Sequence, residues 1–317
     1  MLAVLAAGGL LLPLAVPLQP HLPLALAWLL DLAVHWQWLW LALLGLALAL
    51  CALGRAWRWC GLVLFAALPG WTATDVLAPA GSAKGDTAGP ANGPPFTVAS
   101  ANVHLDNTDA GPLLRWARAL QADVVVALEV SPALAPGLEA AADYPHRRLL
   151  PADNPFAIAL LSRHPLRDVQ VVRLRAGPLA VRAVVEAPGG PVHVTALHTM
   201  PPIVGPAGLV TRDLDIADLV DQAAATGLPA VVAGDLNATA WSSGLRVAQA
   251  RHFLRAQGLA PTWPVPLASV MGIPIDHVLA DRRRWRVQET RRGPDLGSDH
   301  RPVYARLRRE AAPPASR

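Results

Sequence analysis

Only two cysteines occur in this chain, Cys51 and Cys60, and both fall in its apolar N-terminal stretch. No disulfide framework can hold the rest together, so a packed core must do so. Lysine is scarcer still: Lys84 is the only one among 27 basic residues. Arginine suits bidentate phosphate contacts, but such a bias also follows from genomic base composition, and we adopt that reading. Before Arg55 the only charged residue is Asp31, so the net charge of +4 sits almost wholly outside the N-terminal segment. A glycine-rich Walker loop, HExxH or CxxC spacing and a G-x-S-x-G elbow are also missing. Their absence argues against P-loop chemistry, the common zinc sites and the α/β-hydrolase nucleophile.

What the chain does have at its start is apolar length. A membrane span needs ~20 apolar residues. Residues 1–78 offer about three: "LAVLAAGGLLLPLAVPL", extendable through "HLPLALAWLL", then "WQWLWLALLGLALALCALG", then the weaker "WRWCGLVLFAALPGWTATDVLA". Pro13, Pro17, Pro20 and Pro23 are expected to kink the first, which membrane helices tolerate. Tryptophans 36, 38, 40, 57, 59 and 71 stand near the expected ends, where an aromatic belt belongs. A signal peptide fits poorly, because a basic n-region is missing and apolar sequence continues. Arg55 and Arg58 lie between the second and third spans. The positive-inside rule then predicts a multi-pass cell-membrane protein with everything after Ala78 on the extracytoplasmic side.

Residues 79–95, rich in Gly, Pro and Ala, read as a flexible linker, residues 96–309 as a globular domain and residues 310–317 as a disordered tail. Within the domain, short apolar runs such as "DVVVALEV", "FAIALLSR" and "VHVTALH" read as strands. Helical spacing marks "AGPLLRWARALQ", with Asp109 as N-cap, "LVTRDLDIADLVDQAAAT", with Gly227 at its end, and "GLRVAQARHFLRAQG". Many strands with a few helices predict two packed sheets flanked by helices.

Polar residues interrupt the strand ends: Asn102, Glu129, His198, Asp235 with Asn237, Asp276–His277 and Asp299–His300. Each alone has an ordinary explanation as a turn, a salt bridge or a rim histidine. Together they suit phosphate-ester hydrolysis, which needs a hard cation, an activated water, a cradle for phosphate oxygens and a proton for the leaving group. Mg²⁺ takes oxygen ligands and keeps several waters, so Glu129 and Asp299 could hold it. Strand alternation would put Asp235 and Asn237 on one side, one to orient water and one to donate to a phosphate oxygen. Asp276 could orient His300, and His198 could protonate the leaving group or bind a phosphoryl oxygen.

The ordered set "SANV … LEV … ALLSRHPL … LHTMPP … GDLNAT … PIDHVL … GSDHRPV" resembles the endonuclease/exonuclease/phosphatase superfamily, the deoxyribonuclease I-like fold, and covers nearly all of residues 96–309. The preceding spans are similar to those of a membrane-anchored bacterial subgroup. The resemblance implies an α/β fold, a four-layer sandwich of two mixed sheets flanked by helices, with the site where the sheets meet. It implies a divalent cation, usually Mg²⁺, with Mn²⁺ or Ca²⁺ as alternatives, and hydrolysis of phosphate mono- or diesters. Glu129 becomes the main metal ligand, Asn102 a metal-site or phosphate-contacting amide, and Asp299 a metal-side carboxylate. Asp235 orients water, Asn237 donates to phosphate, Asp276 and His300 form the carboxylate–histidine pair, and His198 takes the second histidine role. His277 is expected to pack, and His164 to belong to a turn. Asn154 stands where some members carry a residue supporting the second histidine. His104, Asp106 and Asn107 line the cleft or form a turn.

The substrate is a matter for the loops. A nuclease-type phosphodiesterase is the leading expectation. A sphingomyelinase-like or phosphoinositide phosphoesterase is the alternative, and a non-catalytic membrane-tethered binding module the reading from another class. "DRRRWR" and Arg291–Arg292 could meet a nucleic-acid backbone, anionic head groups, or only solvent. The expected partners are a phosphate ester and, through the N-terminal helices, the lipid bilayer; no obligate protein partner is inferred.

Overall fold

The computed structural model describes residues 1–55, 61, 92–267 and 271–310. Nearly all of the third expected span, most of the linker and the tail lie outside these residues.

The apolar runs become strands, and they fall into two six-stranded sheets. The first is built from β1 (Asn92–Asn102), β2 (Val124–Leu128), β3 (His146–Leu150), β4 (Ile158–Ser162), β11 (Trp285–Arg292) and β12 (Val303–Arg309). Its order is β11-β12-β1-β2-β4-β3. The second runs β5-β6-β7-β8-β10-β9, from β5 (Leu166–Arg173), β6 (Leu179–Ala187), β7 (Gly190–His198), β8 (Ala230–Asp235), β9 (Phe253–Arg255) and β10 (Asp276–Asp281). Both mix parallel and antiparallel pairs, as β1–β2 and β7–β8 are parallel and their other neighbours antiparallel.

The sheets pack face to face. Val98, Val126 and Leu160 of the first meet Val181, Val194, Val231 and Val278 of the second in one buried cluster. The outer faces are covered as well. Leu113, Trp116 and Ala117 of α4 (Gly111–Ala119) and Leu138 of α5 (Ala135–Glu139) lie on the first sheet. Ile216, Leu219 and Val220 of α6 (Pro206–Ala225) and Leu245 of α7 (Ser243–Ala250) lie on the second. Strands such as Val124–Leu128 are therefore buried at every position, which is why they read as unbroken apolar runs rather than alternating ones. The result is the four-layer sandwich.

Local departures have local causes. The helix expected over "GLRVAQARHFLRAQG" ends at Ala250, and Phe253–Arg255 becomes an edge strand paired with β10. His252 between them sits at φ 66°, a left-handed conformation that terminates a helix. Asp109 is not the N-cap, which is Ala110 without a side-chain capping bond; its Oδ1 instead accepts the Gly111 N–H at 2.7 Å in the turn before the helix. Gly227 follows the end of α6 at φ 68°, as expected.

The N-terminal segment forms α1 (Leu2–Leu11), a 3-10 helix (Leu12–His21), α2 (Leu24–Val34) and α3 (Gln37–Leu53). Pro17 and Pro20 stand inside the 3-10 stretch and Pro23 at the start of α2; each removes a donor that a continuous α-helix would need. Among the described residues, Leu2–His21 is long and apolar enough to cross a membrane, and α2 with α3 qualifies only as a pair bent by 65°. The first two expected spans thus become one, or two if the bent pair is counted, and the third lies outside the described residues. α2 instead lies on the domain: Val16 and Val34 share a buried cluster with Ala240 and Trp241. Trp28 and Trp38, on the expected aromatic belt or near it, donate their indole N–H groups to the carbonyls of Pro202 and Leu259.

Candidate active site

Strand register builds one half of the site. In the second sheet His198 pairs with Asp235 and Asp235 with Asp276, so three adjacent strands end side by side on polar residues. Gly234 makes the close approach possible. Its φ is 148°, and a Cβ there would lie 1.8 Å from the Leu197 carbonyl oxygen; any other residue would push β8 off β7. The first sheet supplies the other half. Asn102 ends β1 opposite Leu128, the residue before Glu129, and Glu129 takes φ 61°, which ends the strand and turns the chain.

The two halves touch. The Asn102 amide nitrogen donates to Glu129 Oε1 at 2.8 Å and lies 3.4 Å from His300 Nε2. Glu129 Oε2 accepts the Leu105 N–H. His300 Nδ1 lies 2.9 Å from Asp276 Oδ2, which fixes the ring and turns Nε2 toward Asn102 and Glu129. Ser298 ties this loop to the first sheet, its hydroxyl donating to the Asn102 carbonyl and accepting the His300 N–H. Asp299 Oδ2 accepts the Trp263 indole N–H at 3.0 Å; nothing about Trp263 in the sequence marked it.

His198 Nδ1 lies 2.8 Å from the Pro155 carbonyl oxygen, so it carries the proton, and Nε2 faces Asp235 Oδ2 at 3.5 Å. Asn237 departs from the expected alternation. The strand stops at Asp235, and Asn237 sits beyond it at φ 45°. Its N–H donates to Asp235 Oδ1 and its amide to the Thr199 carbonyl. It still lines the cleft with Asp235. Asn107 and Asn154 do not: their side-chain oxygens accept the N–H groups of Asp109 and Phe156 in turns. The role foreseen for Asn154, supporting the second histidine, falls to the carbonyl of Pro155. Asp106 is exposed, and its N–H donates to His104 Nδ1 in a turn. His277 is buried and lies 2.8 Å from the Ala238 carbonyl, and His164 pairs with Asp123.

Burial and charge set the protonation pattern. Burial, and then the neighbouring Asp276, raise the Asp235 carboxyl well above the usual range. Burial works against a charged His300, but Asp276 outweighs it and holds the imidazole up to about 10. Burial pushes His198 down, against the pull of Glu129. The site thus keeps one histidine charged and one neutral, a pattern suited to separate acid and base roles.

Two oxygen-rich groups could hold a cation. Asp235, Asp276 and His300 offer ligand atoms within 4.8 Å of one another. There, however, the His300 nitrogen already lies in a hydrogen bond to Asp276, and a nitrogen ligand suits Mg²⁺ poorly. Glu129 and Asn102 touch and Asp299 lines the same cleft as Glu129; the three can bring oxygens only, and Glu129 accepts one donor on each oxygen. That donor set fits a hard divalent cation, and we favour it.

Residues 99–300 match the Endonuclease/Exonuclease/phosphatase family. Among solved structures, an endonuclease/exonuclease/phosphatase from Bacteroides vulgatus is similar at TM-score 0.58 and 18% identity, over 69% of this chain and 100% of that one. Sphingomyelinase C from Streptomyces griseocarneus is similar at 0.51 and 20%, over 68% and 99%. A humanized D. rerio TDP2 is similar at 0.54 and 15%, over 67% and 98%. At these identities the likeness is one of fold. Among curated proteins, none matches the sequence.

Proposed function

The chain belongs to the Endonuclease/Exonuclease/phosphatase family, and from that premise we propose that it is a membrane-anchored, divalent-metal-dependent phosphodiesterase. The observation that carries this reading is the register that ends β7, β8 and β10 on His198, Asp235 and Asp276, with His300 held 2.9 Å from Asp276. A packed core has no need of four ionisable groups buried together, and burying them is costly.

Glu129, Asn102 and Asp299 would hold the cation, Mg²⁺ by ligand type, with Mn²⁺ or Ca²⁺ acceptable to the same oxygens. Once bound it would supply positive charge to the phosphate oxygens. The chain's own residues do the rest. Asp276 fixes the His300 ring, so that Nε2–H points across the cleft toward a phosphate oxygen or leaving group. Asp235 orients the attacking water. His198, neutral and held by Pro155, is placed to accept or return a proton at Nε2. Asn237 fixes the Asp235 carboxylate through its N–H. Anchoring rests on Leu2–His21 and the bent α2–α3 pair, and the side of the membrane on Arg55 and Arg58.

The test uses the full chain in detergent with bis(p-nitrophenyl) phosphate. Hydrolysis is expected with Mg²⁺, to be abolished by chelator, and to fall in His300→Ala. Equal rates with and without metal, or in that variant, would remove the reading.

A further inference from the structure

The cleft between the catalytic strands measures about 380 Å³, and the catalytic domain does not line it alone. Leu32 of α2, with His35 and Trp36 at the bend before α3, line it beside Glu129, His198 and His300. The N-terminal segment is fixed in that position. Asp31 pairs with Arg212 of α6, Trp28 donates to the Pro202 carbonyl, and His35 Nε2 lies 3.4 Å from the Asn237 carbonyl oxygen. Where the segment meets the domain, the Pro202–Val204 turn, which α2 contacts, presents Ile203 and Val204, 76% and 61% exposed, and α2 presents Leu26 and Leu29, each 52% exposed. Large apolar side chains this open, on both a domain loop and an apolar helix, suit a bilayer better than water.

We propose that Leu32 and Trp36, with Pro202 and Ile203, form a subsite for the hydrocarbon chain of a lipid phosphodiester, whose phosphate reaches His300 and Glu129. The inference rests on the phosphodiesterase reading and names its substrate class. Three features favour lipid over nucleic acid. The cleft is lined by no Lys or Arg among the described residues, whereas nucleic-acid binding draws on cationic contacts to the backbone. The arginine run at Arg282–Arg284 sits beyond Asp281, at the end of β10 remote from Asp276, and Arg291 and Arg292 line a separate pocket with Asp276 rather than this cleft. Leu32 and Trp36 come from the same N-terminal segment as the candidate span Leu2–His21, so a lipid would enter from the side of the bilayer.

The experiment uses the full chain in phosphatidylcholine nanodiscs, Mg²⁺ and p-nitrophenyl phosphodiesters carrying ethyl, butyl or octyl groups. We expect kcat/KM to rise about tenfold or more from ethyl to octyl. The octyl-to-ethyl ratio should collapse toward one in Trp36→Ala and in Ile203→Ser, the latter at an open position where misfolding is not a concern. Partition into the disc raises the ratio equally in every variant, so it cannot imitate this collapse. A diazirine-tipped octyl phosphodiester, photolysed without metal and mapped by mass spectrometry, should label residues 32–36 or 202–204. Unchanged ratios in both variants, adducts confined elsewhere, or preferred cleavage of a single-stranded oligonucleotide would overturn the subsite. If no ester is hydrolysed, the phosphodiesterase reading falls, and the labelling still decides whether the chain binds there.

Discussion

Asp31 and Arg212, 181 residues apart in sequence, meet as a two-pronged ion pair: Nη1–Oδ2 is 2.8 Å and Nη2–Oδ1 3.0 Å. Both side chains are wholly inaccessible to solvent. The Ser243 hydroxyl adds a third contact to Asp31 at 3.2 Å. The lone acid of the apolar N-terminus thus joins that segment to the helix over the second sheet.

Breaking a buried pair strands a charge, at a cost of about 3–5 kcal/mol. Arg212 keeps Asp213 as a partner, so Asp31→Asn should fall at the lower end, about 3 kcal/mol. Thermal unfolding of the full chain in detergent measures it. An unshifted midpoint would mean that the segment is a tether without a structural part.

Removing the oriented histidine should cost chemistry rather than fold. For His300→Ala we expect kcat to fall by roughly 10²–10⁴. Asp276→Asn should lower kcat less, since His300 keeps its place beside Ser298 but loses its carboxylate. Rates with bis(p-nitrophenyl) phosphate check both, beside far-UV circular dichroism to confirm the fold.

Metal binding can be read without turnover. A ligand that binds only the folded state at a hundred times its Kd stabilises by about 2.7 kcal/mol. Mg²⁺ should therefore raise the unfolding midpoint of the wild type, and chelator should reverse the rise. Glu129→Gln should abolish the shift. A shift that survives in Glu129→Gln and disappears in Asp235→Asn would place the cation on the other carboxylate group.

His193, on β7 away from the cleft, offers a test of pH dependence. Burial, and then Arg182, push its imidazole down to about 4, below the ordinary 6.5. The unfolded chain therefore takes up a proton there before the folded one does. Its contribution is fully present above about pH 6.5 and is lost as pH falls toward 4. In His193→Gln the loss of stability between pH 7 and 4 should be shallower, by about 2–3 kcal/mol at most. Urea unfolding at a series of pH values measures the slope, and parallel slopes would refute it.

Much of the candidate site is readable in the sequence because several of its residues lie at strand ends, and strand ends announce themselves as polar breaks in apolar runs. Asn102, Asp235 and Asp276 at strand ends, and Glu129 just past β2, stand out that way, whereas Asp299 lies in the loop before β12. Asn237 lies beside Asp235, but not by strand alternation: a strand pattern cannot reveal a left-handed residue just past its end. His146–Leu150 carries no strand signal, since at an edge the half-buried Arg147 and exposed Arg148 break the apolar pattern. Contacts that join distant segments were invisible. Trp263 gives no local signal, and Leu32 and Trp36 looked like any other apolar residues of a span. One clue was available. A single carboxylate within 54 nearly uncharged residues asks for a partner, and pursuing that question would have led to α2.

The cluster that joins Val16 and Val34 to Ala240 and Trp241 bears on how this protein can be handled at the bench. Trimming away the greasy N-terminal segment, a customary first step toward a tractable crystallisation target, would unroof a tryptophan that is now 1% exposed and open one wall of the candidate cleft. The shortened product would have a sticky scar beside the cleft, so failure of such a fragment to stay soluble or active would say little about the intact chain.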